Sequence, residues 1–461
     1  MSSILPGVQV RVSQDEVPAG DTASQGRLHV VGVTERGPTV PTVVSGLGGF
    51  VRTYGRAAWD TLTLALSAFW QASEGAGDVT VSRVVGPAAV VASKTVSDGT
   101  ANTIEFEASW PGAAGNDIDV IVAADGDGFQ VTVTYDGDPV ERWRGLANVD
   151  DAVQTLQASD WIRAVNDPAG TGNPSVGTYS LEGGDDDRAN ITDAQWEAAL
   201  DAIGVAYGPG QVVAPGRTSA DGRGQLVDHA EAHNRVALLD LEEGSSKAQL
   251  LTAAGAADSR HAALVGPPVQ VRLDGRIRTV PASVVAAGVC ARIDVDAPTG
   301  HTGPDRGRAG LSSRFVSVSD LFDDADAAEL NGGGVSLFRP VGGQVLLRGF
   351  RTTSGEPGWE QLSQARYVAG LVWRLERIAE DYVFAPLTRA TVADFGAELA
   401  GVLLADAQAG ALFGDDPYTV DVGQDVNPDG QLADGVLKAR VEIVPTATAE
   451  RIILDLRKTR S

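Results

Sequence analysis

Residues 334–385 constrain this chain more than any other stretch. A first apolar run, 335–338, is cut by Pro340. A second, 344–352, carries Val345, Leu347 and Phe350 among polar neighbours, as a strand does. A turn cluster follows at 354–358 (SGEPG). Beyond it Leu362, Ala365, Ala369, Val372, Leu375 and Ala379 recur at three- and four-residue spacing, which predicts a long helix with one apolar face. Arg366, Arg374, Glu376, Arg377 and Glu380 are expected largely off that face. Pro386 stops the helix, and another is expected from near Thr391.

At 461 residues the chain is too long for one ordinary core, so two or three domains are expected. Hydrophobic content of 43% with 21% charged residues describes a soluble globular protein. No apolar run reaches the roughly 18 residues of a membrane span, so no membrane insertion is expected. The opening MSSILPGVQVRV lacks a basic region before a long apolar one, so no signal peptide is expected. A net charge of −25 argues against nucleic acid as a partner, because phosphate contacts need clustered Lys and Arg. Cys290 is the single cysteine, which excludes an intramolecular disulfide; within SVVAAGVCA it is expected to be a buried small residue.

In chain order, residues 4–12 alternate and predict an exposed strand, with Val8, Val10 and Val12 on one side. Residues 28–34 read as a buried strand, 62–72 as a helix and 79–85 as the next strand, a succession that predicts a parallel or mixed sheet. Residues 96–187 hold 18 Asp/Glu against three Arg, a net of −15. Strand-like pieces at 102–107, 118–122, 129–134 and 139–143 alternate there with Asp-Gly turns, and a helix is expected near 149–162. This reads as an inserted, mostly β domain facing solvent. From Asn190 the α/β pattern returns, with a helix capped at 191–193, strands near 212–216, 236–241 and 262–265, and helices at 226–232 and 283–291. The tail from Val436 offers two strands, 436–444 and 451–456, broken by Pro445.

The order of these elements resembles that of contractile-tail sheath proteins, which build the contractile sheath of phage tails and related bacterial injection particles. The likeness is carried by the segment ending in Arg351-Thr352-Thr353, the Gly/Pro loop, Trp359-Glu360, and a long helix bearing Arg366-Tyr367. It continues at 382–386 (YVFAP) and 439–452 (ARVEIVPTATAERI). Upstream it covers 35–38 (ERGP), 41–44, 50–55 (FVRTYG), the strand with Arg83, 110–117 (WPGAAGND) and 181–187 (LEGGDDD). The resemblance implies a multi-domain, mixed-sheet α/β core of subtilisin-related, non-catalytic topology. Its implied parts are an N-terminal arm (1–20), a middle domain (21–95 with 188–334), the inserted domain (96–187), a C-terminal α+β domain (335–435) and a C-terminal arm (436–461). It further implies that Val8, Val10, Val12, Val441, Ile443, Ile452, Leu454 and Leu456 belong to strands lent to neighbouring subunits. The implied partners are other copies of the chain in a helical sheath, the tail tube protein, and baseplate and tail terminator proteins. The implied location is a virion tail assembled in the host bacterial cytoplasm, with no cofactor.

A subtilisin-related topology calls for a search for a serine protease site. Ser219 in RTSAD and His301 in GHTG lack the motif contexts that supply a base and its orienter. His229 and His233 stand four residues apart on a predicted helix, with Asp228 and Glu231 nearby, but HAEAH is not HExxH and no third ligand is evident. A solvated helix face is the expectation there. Asp125, Asp127 and the Asp185-Asp186-Asp187 run lack a calcium loop's terminal Glu and are expected to be solvated turns. Residues 331–334 (NGGG) lack the Lys of a phosphate loop. No catalytic, cofactor or metal site is therefore expected. Two other readings remain: a hydrolase-like α/β enzyme with an acidic accessory domain, and a monomeric surface- or carbohydrate-binding protein.

Overall fold

The structure, a computed structural model, describes residues 26–57, 61–167, 169–304 and 310–450. The chain is a mixed α/β protein that divides into two compact units. One takes the described residues within Met1–Val30, Ala65–Val79 and Ile203–Ser461, the other those within Val31–Leu64 and Thr80–Ala202.

In the first unit a parallel ladder runs Val335–Val341, Ala262–Gly266, Val236–Leu239, Gln211–Val213, and then residues 28–30 of the Leu28–Gly32 strand. Its central strands are buried at every position, without alternation, as befits strands covered on both faces. Ser219 caps the Ala220–Ala232 helix by accepting from Gly222 N, and Ser246 forms a capping box with Gln249 on Lys247–Ala257. In the Ala282–Asp294 helix every residue but Arg292 is buried, so this helix has no solvent face.

Pro340 does not cut its strand. Val335–Val341 continues through it, with Pro340 opposite Val345 of Gln344–Arg348. Beyond Leu337 the Val335–Val341 strand is paired on that one side, an edge setting that tolerates a missing N–H. The following strand stops at Arg348, short of Thr352, because Arg351 turns to a bridge with Gln361. The long helix spans Leu362–Asp381 and the next Arg389–Gln408, capped by Thr388. Leu362, Ala365 and Ala369 are buried as expected, whereas Val372, Leu375 and Ala379 are half-buried. These helices, with the antiparallel pair Tyr418–Asp421 and Arg440–Ile443, enclose a small core of Tyr367, Leu371, Leu403, Ala411 and Leu412.

In the second unit a four-stranded antiparallel sheet runs Gly177–Ser180, Ile118–Asp125, Gly128–Tyr135, Asp138–Leu146. A three-stranded one runs Ser93–Ser97, Asn102–Ala108, Ile162–Asn166. Ile104, Phe106, Val120, Val131, Leu146 and Leu156 belong to their common core. Asp136 and Gly137 both have positive φ, 50° and 83°, the geometry of a tight hairpin turn between Tyr135 and Asp138. The helix expected over 149–162 is shorter, Val149–Thr155, followed by a single 3-10 turn, Leu156–Ala158. Ser159 ends it: its hydroxyl donates to Glu141 and accepts from the N–H groups of Trp161 and Ile162. That turn redirects the chain into the Ile162–Asn166 strand.

Candidate functional site: buried ion pairs and the C-terminal strand pair

The polar groups weighed for catalysis are spent on structure. Ser219 is a helix cap, and His301 shares a 2.6 Å hydrogen bond with Thr299. A hydroxyl–carboxylate pair the sequence did not suggest lies at Ser283 and Asp240: Ser283 N and Oγ both donate to the Asp240 carboxylate at the start of the Ala282–Asp294 helix. No imidazole is hydrogen-bonded to this pair among the described residues, so it is not a Ser-His-Asp arrangement.

His229 is not on a solvated face, contrary to expectation; it is 5% exposed. Arg235 Nη1 lies 2.8 Å from His229 Nε2, and Arg235 donates to the carbonyls of Ile203, Gly204 and Gly208. The imidazole lone pair therefore faces a guanidinium, which is incompatible with a zinc ion there. Burial first and Arg235 second push His229 down to about 2, and the same causes hold His29 well below the usual histidine range. Glu231 accepts from Ser259 at 2.6 Å, and Asp228 is exposed. Among the described residues no group of three His, Cys, Asp or Glu is placed to hold a metal. Cys290 is fully buried, and burial pushes its thiol up to about 11.

The acidic run is also more than a solvated turn. Asp186 is buried and receives Arg83 Nη2 at 2.6 Å. Arg83 Nη1 donates to Gly37 O at 2.9 Å and to Pro111 O at 2.6 Å, while Asp186 Oδ2 accepts from Ala113 N at 3.3 Å. Arg188 approaches the same carboxylate at 3.4 Å. Gly112 lies between these partners with φ +134°, and a Cβ there would sit 2.4 Å from Asp186 Oδ1. Four of the quoted segments, those with Gly37, Arg83, Gly112 and Asp186, thus meet at one buried charge pair.

A second pair joins two helices of the first unit. Arg366, expected off the apolar face, is fully buried and bonded to Asp294, the last residue of Ala282–Asp294. Its position was legible after all: Arg366 is four residues from Leu362 and three from Ala369, so helical spacing puts it on their face. At the next residue, Tyr367 OH donates to Asp406 at 2.8 Å, and Arg374 grips both oxygens of that carboxylate at 2.8 and 2.6 Å. The Thr352-Thr353 end is used likewise: Thr352 Oγ1 donates to Trp359 O, and Thr353 Oγ1 to Ser259 O.

Of the residues expected in lent strands, Val8, Val10, Val12, Ile452, Leu454 and Leu456 lie outside the described residues. Val441 and Ile443 occupy the Arg440–Ile443 strand, where they meet Val420 and Tyr418 of the same chain and pack on the small core. This places one edge of that strand within its own subunit.

No family model matches the chain, and no curated protein does. Solved structures match over nearly its whole length at low identity. A sheath tail protein from Listeria innocua is 15% identical with a TM-score of 0.65, covering 88% of this chain and 90% of that one. The sheath tail protein from Desulfitobacterium hafniense is 17% identical with a TM-score of 0.58, covering 89% and 93%. The helical sheath of the anti-feeding prophage in its contracted state is 16% identical with a TM-score of 0.60, covering 99% and 100%. The chain has the fold of contractile sheath proteins.

Proposed function

We propose that this chain is the structural subunit of a contractile sheath around a phage-like tail tube. The observation that carries the reading is the likeness in fold, across nearly the full length of both chains, to a helical sheath in its contracted state. Many copies join through a heterologous contact that does not close, which generates a helix. The work is mechanical: the assembled sheath has two packings of the same subunits, and their free-energy difference drives the tube through the target envelope without nucleotide. The tube, baseplate and terminator proteins are the remaining partners, and the particle is assembled in a bacterial cytoplasm as a phage tail, an injection system or a bacteriocin. The parallel ladder, apart from its Val335–Val341 strand, belongs to a middle domain of subtilisin-related topology without its catalysis. The hydrolase reading is disfavoured because Ser219, Ser283 and His301 are used as caps and local hydrogen-bond partners.

Subunits are linked by the terminal strands. Among the described residues the pair Tyr418–Asp421 and Arg440–Ile443 is a two-stranded sheet, and there each strand keeps an outer edge to which a strand of another copy can add. Deleting Ala449 to Ser461, or Met1 to Gln14, should leave a folded monomer with a cooperative melt and no tubes by negative-stain microscopy, where the full chain forms tubes. Normal tubes from either truncated chain would remove the arms from this role.

A further inference from the structure

Residues 445–450 follow the Arg440–Ile443 strand, and side chains hold them down. In an extended residue the N–H and C=O point to the same side, so a strand partner exchanges two bonds with it. At Thr448 the Gln361 amide takes that partner's place: Oε1 accepts from Thr448 N at 2.8 Å, and Nε2 donates to Thr448 O at 3.0 Å. A primary amide offers a donor and an acceptor side by side, as a peptide edge does. Gln364 Nε2 donates to Pro445 O at 3.3 Å, and Arg351 Nη2 pairs with Glu450 Oε2 at 2.5 Å. Thr446 N donates to Ala411 O at 2.9 Å. Thr446 and Thr448 are half-buried while Ala447 and Ala449 are exposed, the alternation of an extended strand. Arg351 and Gln361 are bridged to each other, so these two anchors leave from adjacent backbone.

We infer that Gln361, aided by Arg351 and Gln364, is a side-chain latch that fixes residues 445–450 in an extended course and thereby sets the direction in which the chain continues beyond Glu450. This rests on the proposed role of the C-terminal residues as the link to a second copy. A chain that departs in one direction loses less conformational entropy on adding to a neighbour's sheet than one that departs in many.

Two measurements on the unassembled full chain isolate the latch. Amide exchange at Thr448 should quicken by roughly tenfold in Gln361→Ala, while the Arg389–Gln408 helix exchanges as before. Spin labels on Gln408→Cys and Ala449→Cys, both exposed positions, should give a narrow distance distribution with Gln361 present and a broad one in Gln361→Ala. Gln361→Glu, which keeps the acceptor and loses the donor to Thr448 O, should act in the same direction, and it decides the matter if the alanine variant loosens the whole helix. Unchanged exchange, or equal widths, overturns the latch. Tube formation is scored separately: absence of tubes from the unmodified chain defeats the sheath reading and leaves the latch to the first two measurements. Normal tubes from a variant already seen to be loosened would overturn the latch's part in assembly.

Discussion

Each compact unit buries an arginine–aspartate pair, and the two are satisfied differently. In the second unit Arg83 reaches Asp186 and two carbonyls, and Asp186 accepts from a backbone N–H and a second arginine. In the first unit Arg366 meets Asp294, and Asp294 Oδ1 has no hydrogen-bond partner among the described residues. Burial pushes Asp294 up to about 6, with Arg366 opposing it less strongly. The comparison separates two uses of a buried charge. Arg83 and Asp186 satisfy backbone groups that have lost water, so the pair holds loops together. Arg366 places a cation at the C-terminal end of a buried helix that finishes on an acid, which offsets both that acid and the helix dipole.

The largest expected effects test this distinction. Arg366→Met takes the arginine from the buried Asp294, and Arg83→Met leaves Asp186 with Ala113 N and the 3.4 Å approach of Arg188 while stranding two carbonyls; each should cost about 3–5 kcal/mol, read as lost amide protection in the unit concerned. The double changes should diverge. Arg366→Met with Asp294→Leu removes both charges and should recover most of that loss. Arg83→Met with Asp186→Leu still strands Gly37 O, Pro111 O and Ala113 N, and should remain about 2–3 kcal/mol or more below the parent. Equal recovery in the two doubles would break the comparison.

A glycine contrast sharpens it at smaller scale. Gly112→Ala introduces a Cβ against Asp186 and Arg83 at φ +134° and should destabilise the second unit by about 2 kcal/mol. Gly255→Ala, within the Lys247–Ala257 helix and with nothing within 4 Å of its would-be Cβ, should stabilise the first by about 0.5–1 kcal/mol. Thermal melts of the two variants should therefore move in opposite directions.

What the sequence made legible follows from how local each signal is. The Asp136-Gly137 turn and the start of the long helix were readable because turn chemistry and helical period act within a few residues. The buried fate of Asp186 was not, since Arg83, which it meets in the interior, is 103 residues away and its neighbours in sequence are also acids. Arg366 falls between: its spacing pointed inward, but an arginine is ordinarily solvated, and the carboxylate that pairs with it in the interior, Asp294, lies 72 residues earlier. The same holds at His229, whose partner Arg235 lies six residues on and outside the helix. The strand through Pro340 was misread because one-sided pairing is a property of the sheet and not of the strand.

A pH-dependent effect concerns acid, and its sign differs from group to group within the first unit. His29 and His229 are kept neutral in the fold, so below the unfolded histidine pKa of about 6.5 each lowers stability by at most about 1.4 kcal/mol per pH unit as the unfolded chain takes up protons. Asp240 acts the other way. Burial pushes its carboxyl up to about 6 against the Ser283 hydrogen bonds that pull it down. The folded state thus takes its proton before the unfolded chain, whose carboxyl titrates near pH 3.9, and stability is regained as pH falls from about 6 to about 4. Asp240→Asn keeps an acceptor for Ser283 and removes this titration. The variant should match or exceed the parent at pH 7.5, then fall behind it between pH 6 and 4 by up to about 1.4 kcal/mol per pH unit. Denaturant melts at half-unit pH steps would measure this, and parallel profiles for the two proteins would mean that Asp240 is ionised in the fold throughout that range.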